Sequence, residues 1–158
     1  MADNVLEIAV ALPDNIVGET RARIVEEAKT WLGTPFHHRA FVKGAGTDCQ
    51  GFIYSSYRVL GLIPELEMPE YSPQWWAHRE RELYIESLIK LGLHEITAPP
   101  SPGDIVLAKW GRCFSHSGIV IDWPMVIHTS PMHKKVQIDD AKLHLLFGAH
   151  ELKFFSIF

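Results

Sequence analysis

The stretch TDCQGFIYSSYRVLG, residues 47–61, decides the fold. Its apolar positions recur at helical spacing, and Thr47 or Asp48 is a good N-cap, so the stretch predicts a helix that begins near these residues and runs to Leu60. Cys49 then lies in the first turn, where unpaired backbone amides and the positive end of the helix dipole lower the pKa of a thiol. The predicted inward face consists of Phe52, Ile53, Ser56, Val59 and Leu60.

Two more helices are predicted, one on each side of this stretch. The residues from Thr20 to Leu32 place apolar side chains on one helical face and are followed by a glycine and a proline that end the helix. A third helix, from about Gln74 to Leu91, has a charged outer face. The segment PFHHRAFVKGAGTD between the first two helices has no clear periodicity and predicts a loop.

The pattern changes to short β-rich runs after Pro99. PPSPGD is typical of a turn, and the runs IVLAKW, SGIVID, MVIHTS, KVQI and LKFFSIF follow it. Helices first and strands afterward predict an α+β domain in which a mostly antiparallel sheet packs against the helix carrying Cys49. A length of 158 residues lies within the usual size of one domain, so residues 1–158 are predicted to form a single domain.

Composition excludes several classes of function. The net charge of -4, from 15 basic and 19 acidic side chains, provides no cationic surface for nucleic acid. No apolar stretch approaches the roughly 18 residues that span a bilayer, and the segment MADNVLEIAVALPDN has acids where a signal peptide has basic residues. We therefore expect synthesis in the cytoplasm without a signal peptide. Two cysteines are too few for a disulfide framework in a domain of this length.

Two histidines are placed to act with Cys49. A thiol nucleophile needs a base that accepts its proton and later protonates the leaving amine, which at neutral pH is usually histidine. His116 lies at the head of the run SHSGIVID, and His128 lies at the end of MVIHTS. If these runs form a hairpin about residues 122–124, the two rings are roughly opposite each other. His128 would then hydrogen-bond the His116 ring and fix its tautomer, in the logic of a catalytic triad.

Four blocks carry a family resemblance. TDCQGFIYSSYRVLG, SPGDIVLA, HSGIVID and IHTS, in this order, resemble the NlpC-type cell-wall cysteine peptidases of the papain superfamily, and the similarity runs from about Trp31 to Ser130. GTPFHHRAFVKGAGTDCQG and YSPQW resemble the branch associated with phage and prophage tails. The resemblance implies a papain-like fold and cleavage of peptide bonds in peptidoglycan stem peptides without a metal or cofactor. It also implies phage tail proteins as partners, and delivery to the wall by a phage tail or another export route.

The resemblance also assigns roles to individual residues. Cys49 matches the nucleophile, His116 the base and His128 the third polar position of a Cys-His-His triad. Asp48 matches an acidic residue that meets a free amine of the substrate, and the backbone amide of Cys49 contributes to the oxyanion hole. His38 is a further candidate for contact with substrate.

Two departures from the family pattern keep other functions open. Phe36 stands where many relatives have tyrosine, so a phenol hydroxyl is missing unless His37, His38 or Tyr54 replaces it, and Gln50 replaces a small serine. The second hypothesis is therefore a tail or envelope component that binds wall peptide and hydrolyses it weakly. A third is an amidase or acyltransferase, because a Cys and His pair forms a thioester with many acyl donors.

Other polar and aromatic residues have simpler interpretations. Cys113 could join Cys49 and His128 in a zinc site, but a second close ligand pair is missing and the nucleophile would be consumed, so a strand residue is the favoured interpretation. Trp75 and Trp76 could line a groove or pack in a helix interface. Surface or loop positions are expected for His37, His38, His78, His94, His133, His144 and His150.

Overall fold

A computed structural model describes residues 12–67 and 82–158. The helices in these ranges are α1 (Asp14–Lys29), α2 (Cys49–Val59) and α3 (Leu83–Lys90). A short hairpin consists of β1 (Phe41–Val42) and β2 (Gly46–Thr47). The remaining strands are β3 (His94–Ile96), β4 (Ile105–Trp110), β5 (Cys113–Asp122), β6 (Met125–Ser130), β7 (Lys135–Asp140) and β8 (Leu152–Ser156). Within residues 12–67 and 82–158, no helix is long and apolar enough to cross a bilayer.

The helices differ from their predicted bounds mainly at the ends. α2 begins one residue after its cap Asp48, as predicted. α1 begins at Asp14, six residues before the predicted Thr20, because Pro13 supplies a favourable N-terminal φ and Asp14 places a negative charge in the first turn. Of the third predicted helix, residues 83–90 are helical. The predicted helical residues 74–81 and the tryptophans at positions 75 and 76 lie outside the described part of the chain.

Strands β3 to β8 form one six-stranded antiparallel sheet in the order β3-β8-β4-β5-β6-β7. All five predicted β-rich runs contribute strands to it, so the predicted α+β fold with a mostly antiparallel sheet is confirmed. The sequence prediction missed β3, which has three residues, and the β1–β2 hairpin inside the predicted loop. The hairpin between β5 and β6 turns at Trp123 and Pro124, where it was expected.

The central strands are buried on both faces of the sheet. Ile105 and Leu107 of β4 belong to a core cluster shared with the helices, whereas the alternate residues Val106 and Ala108 belong to a second cluster with Phe147. The segment after β7 therefore covers one face while the helices cover the other. α2 packs against β5 and β6, which brings its N-terminus to the centre of the sheet.

Gly51 allows the first turn of α2 to pack closely against the preceding loop. A Cβ atom at this position would lie 2.2 Å from the carbonyl oxygen of Ala40 and 2.9 Å from Oγ1 of Thr47. Backbone atoms cannot move aside cheaply, so the helix start and the loop can only keep their contact with glycine here.

Substitution Gly51→Ala tests this close approach. We expect it to lower the free energy of unfolding by about 1–3 kcal/mol, because the new methyl group overpacks a buried contact. The matched control is Gly18→Ala in α1, where nothing lies within 4 Å of the added Cβ. That control should raise stability by about 0.5–1 kcal/mol through helix propensity. Urea unfolding measures both, and an unchanged midpoint for Gly51→Ala would contradict the packing described.

Candidate active site

Asp48 fixes the start of α2 and thereby the position of Cys49. Its Oδ1 accepts a hydrogen bond from the backbone N–H of Gly51 at 2.9 Å, and its Oδ2 accepts one from the backbone N–H of Arg39 at 2.7 Å. The first bond caps the helix and the second ties the helix to the loop before it. Cys49 is the first residue of the helix, as the sequence predicted.

A β-bulge brings β5 to the thiol. His116 pairs with Ala108 and Phe114 pairs with Lys109, so Ser115 is an extra residue on the bulged strand. The Cys49 thiol donates a hydrogen bond to the carbonyl oxygen of Ser115 at 3.5 Å. The thiol thus lies beside the residue that precedes His116, and its hydrogen bond in this structure goes to the Ser115 carbonyl instead of the imidazole.

His116 and His128 form the predicted pair. Gly118 is directly opposite His128 across the β5–β6 hairpin, which puts His116 in the diagonal position on the same face. Nε2 of His116 lies 3.0 Å from Nδ1 of His128 in a hydrogen bond. His116 is 7% exposed and His128 is fully buried, and Phe147 packs against both rings. Nδ1 of His116 is the ring nitrogen that this bond leaves available.

Asp139 extends the histidine pair by one carboxylate that sequence reasoning missed. Oδ2 of Asp139 lies 2.7 Å from Nε2 of His128, and the side-chain amide of Gln137 donates to the same oxygen. His144 Nε2 is 3.5 Å from that oxygen, so this histidine, which lies in the loop between β7 and β8 as expected, also belongs to the site. The predicted run KVQI stops just before Asp139, whereas β7 continues to Asp140 and pairs along all of β6.

Burial controls the charge of the thiol. It raises the pKa of Cys49 to about 12, with a further rise from the negative charge of Asp48, and hydrogen bonds from Ser117 and the backbone of Gln50 oppose the rise. The sequence prediction that the helix N-terminus lowers this pKa is therefore wrong in its net direction. Part of the Cys49 surface is still accessible, so small reagents can reach it.

The two histidines of the pair are held neutral. Burial is the main cause that lowers the pKa of His116 well below 6.5, followed by the neighbouring charges of His128, His144 and His150. Burial also lowers the pKa of His128 to about 4, although the hydrogen bond and charge of Asp139 act in the opposite direction. At neutral pH the site therefore holds a protonated thiol and two uncharged imidazoles.

A buried polar contact joins β5 to α2 and α3 beneath the thiol. The hydroxyl of Tyr84 lies 2.6 Å from Oγ of Ser117, and Ser117 Oγ donates to the carbonyl oxygen of Cys49 at 3.4 Å. Thr129 Oγ1 donates to the carbonyl oxygen of Asp48 at 3.4 Å from β6. Both strands of the histidine hairpin therefore hold the start of α2 in place.

The other predicted contact residue, His38, lies beside Asp48. Nδ1 of His38 is 3.7 Å from Oδ2 of Asp48, and the side chain of His38 is 29% exposed. Asp48 is only 3% exposed, because its carboxylate is engaged by the loop and the helix start. Gln50 is buried, and Tyr54 accepts a hydrogen bond from the backbone N–H of Leu66. A role for Asp48 in binding a substrate amine stays a prediction.

The histidine cluster is arranged for hydrogen bonding. Within the described ranges, the single group with metal-ligand spacing is His128, Asp139 and His144, whose ligand atoms lie within 4.8 Å of one another. The zinc site weighed from the sequence, with Cys49, Cys113 and His128, is not assembled in these ranges. The backbone N–H of Leu146 donates to Nδ1 of His144 at 3.2 Å, so the proton of this ring is on Nε2, the nitrogen that lies 3.5 Å from Oδ2 of Asp139.

Similar folds occur among solved structures. The NlpC/p60 domain of the peptidoglycan hydrolase SagA is 18% identical with a TM-score of 0.55, over 84% of this chain and 96% of that one. RipB, a peptidoglycan hydrolase from Mycobacterium tuberculosis, is 14% identical with a TM-score of 0.60, over 92% and 68%. NlpC1 from Trichomonas vaginalis is 18% identical with a TM-score of 0.62, over 86% and 43%. Comparison with curated protein sequences gives no significant match.

A family model also matches the chain. The model for the NlpC/P60 family covers residues 33–146, which include the helix with Cys49, both histidines and Asp139. The match confirms the resemblance carried by the four sequence blocks. Since the matched region is most of the chain and the fold agrees, this protein belongs to the NlpC/P60 family.

Proposed function

We propose that the protein is a cysteine peptidase that hydrolyses peptide bonds in peptidoglycan stem peptides, with Cys49 as nucleophile, His116 as base and His128 as the residue that orients the base. The observation that carries this proposal is the 3.0 Å hydrogen bond between the two buried imidazoles, beside a cysteine at a helix N-terminus. Membership of the NlpC/P60 family and the fold shared with two named peptidoglycan hydrolases support the choice of substrate.

Activation of the thiol in this mechanism depends on a proton transfer to His116. Because burial keeps the Cys49 thiol protonated, a preformed thiolate does not attack the substrate. The neutral His116 ring can accept the proton at Nδ1, since Nε2 is occupied by its bond to His128. The thiol must first turn from the Ser115 carbonyl to the imidazole. Catalytic hydrogen bonds commonly tighten in this way only when substrate is bound.

Attack of the sulfur on the peptide carbonyl gives a tetrahedral intermediate. The backbone N–H groups in the first turn of α2 have no intrahelical acceptor, so the amide of Cys49 can donate to the developing oxyanion. The proton on His116 then passes to the leaving amine, and the acyl group remains on the sulfur as a thioester. Water, deprotonated by the now neutral His116, hydrolyses the thioester and restores the thiol.

The placement of this activity in a phage particle is a further part of the proposal. The blocks GTPFHHRAFVKGAGTDCQG and YSPQW motivate it, because they resemble the branch associated with phage and prophage tails. A tail-borne enzyme would reach the wall with the particle, with tail proteins as its partners. Co-purification of the protein with tail particles, compared with the surrounding lysate, tests this placement.

Digestion of purified peptidoglycan tests the activity. Wild-type protein should release peptide fragments identifiable by mass spectrometry, and Cys49→Ala should lower the rate at least about 10³-fold because the nucleophile is gone. His116→Ala should have a comparable effect, because removing either member of a nucleophile and base pair lowers the rate about as much as removing both.

Cys113→Ala is the matched control for this digestion. Cys113 is fully buried in β5 and has no part in the mechanism, so this variant should digest peptidoglycan at close to the wild-type rate. Equal digestion by folded Cys49→Ala would refute the mechanism. If folded wild type released no fragments, a wall-peptide-binding component or another acyl substrate would replace the peptidase.

The charge state of the thiol is tested by the pH dependence of alkylation. With a thiol pKa of about 12, the iodoacetamide rate constant of Cys49 should be low at neutral pH. It should then rise about tenfold per pH unit toward pH 9, because the thiolate is the reactive form. Cys49→Ala, which retains only the buried Cys113, supplies the background. A rate that is already on a plateau below pH 7 would show a thiolate–imidazolium pair and contradict the proposed resting state.

A further inference from the structure

Two hydrogen bonds and one longer contact converge on one oxygen of Asp139. Nε2 of His128 lies 2.7 Å from Oδ2, the amide of Gln137 donates to it, and Nε2 of His144 is 3.5 Å away. Burial is the largest single effect on the pKa of Asp139 and raises it, but the hydrogen bonds from His128 and Gln137, together with the electrostatic effects of His128 and His144, outweigh burial and lower the net pKa. Asp139 is therefore an anion at neutral pH, and its Oδ2 acts only as an acceptor.

The proton positions on His128 and His116 follow from Asp139, the acceptor at the end of this chain of hydrogen bonds. The Asp139 anion requires Nε2 of His128 to carry a proton, so the neutral His128 ring has its lone pair on Nδ1. That lone pair can only accept, so Nε2 of His116 must be the donor in the bond between the rings. The neutral His116 ring then has its lone pair on Nδ1, which is the tautomer that a base for the thiol requires.

We propose that Asp139 is a positioning residue that sets the tautomers of His128 and His116, and that His144 and Gln137 hold its carboxylate in place for this task. The proposal rests on the peptidase function given above, in which His116 is the base. It adds an acceptor to the Cys-His-His arrangement. Without this acceptor, the proton of the neutral His128 ring can move from Nε2 to Nδ1, so that His128 presents a proton instead of a lone pair to His116.

The anion also acts on the charge that forms during catalysis. When His116 takes the thiol proton it becomes an imidazolium, and the positive charge is partly shared along the hydrogen bond to His128. A carboxylate at the far side of His128 stabilises that charge in a buried site, where electrostatic attraction is stronger than in water. A neutral residue at position 139 would lose this stabilisation even where the tautomers stay unchanged.

Proton–nitrogen correlation spectra of the histidine rings test the tautomers directly. In wild-type protein we expect His116 and His128 to carry their protons on Nε2. In Asp139→Ala, the His128 ring should lose its preference for this form. Asp139→Asn can place its amide oxygen at the position of Oδ2, so it should restore the Nε2 proton without restoring the charge.

Kinetics on wall peptide provide the second measurement. Asp139→Ala should lower kcat by about 10- to 100-fold, part of what a general base contributes, with KM changed less than about twofold. Asp139→Asn should be intermediate. His144→Leu should show part of the loss, and His144→Gln should recover it, because a glutamine amide can donate to Asp139. Asp122→Ala, an exposed aspartate of β5, should match wild type.

The outcomes separate this inference from the proposed function. The ring spectra need no substrate, so a wild-type protein without peptidase activity would leave the tautomer test intact. A His116 ring protonated at Nδ1 in wild type, or a His128 spectrum unchanged in Asp139→Ala, overturns the role of Asp139. A kcat for folded Asp139→Ala equal to that of wild type overturns it as well.

Discussion

The site depends on the contact between the first turn of α2 and the bulged part of β5. Asp48 caps the helix and binds the preceding loop, Gly51 lets the helix start approach Ala40, and Ser117 donates to the carbonyl oxygen of Cys49. The extra residue at the bulge then presents its carbonyl to the thiol. All of these contacts lie within the protein, and together they fix the position of the Cys49 sulfur.

The same packing decides the charges in the site. A helix N-terminus stabilises a nearby anion by about 0.3–1 kcal/mol and at most about 2, which corresponds to roughly 1.5 pKa units. Removing a thiolate from water in a buried site costs more than this, and Asp48 adds repulsion, so the thiol pKa moves from 9.0 to about 12. Desolvation therefore outweighs the dipole, and in the proposed mechanism the task of generating the thiolate falls to His116.

Sequence patterns predicted the parts of this arrangement that follow from local chemistry. The cap at Asp48, the helix that carries Cys49, the β5–β6 turn and the pairing of His116 with His128 all follow from periodicity and turn residues. Asp139 escaped because its contact with His128 depends on how far β7 extends along β6, and the apolar pattern of KVQI ends one residue earlier. The sign of the thiol pKa escaped because it depends on burial by residues distant in sequence, such as Ser115.

The two halves of the site differ in how they are built. The hydrogen-bonded chain from His116 to Asp139 forms within consecutive antiparallel strands, through contacts between residues 12 and 11 positions apart. The thiol reaches β5 through a contact that joins residues 66 positions apart. Loop closure over the longer distance costs more entropy and relies on the packing of α2. Weakened packing of α2 therefore separates Cys49 from β5 while the hydrogen-bonded chain from His116 to Asp139 stays assembled, so the helix start is the part of the site most sensitive to core substitutions.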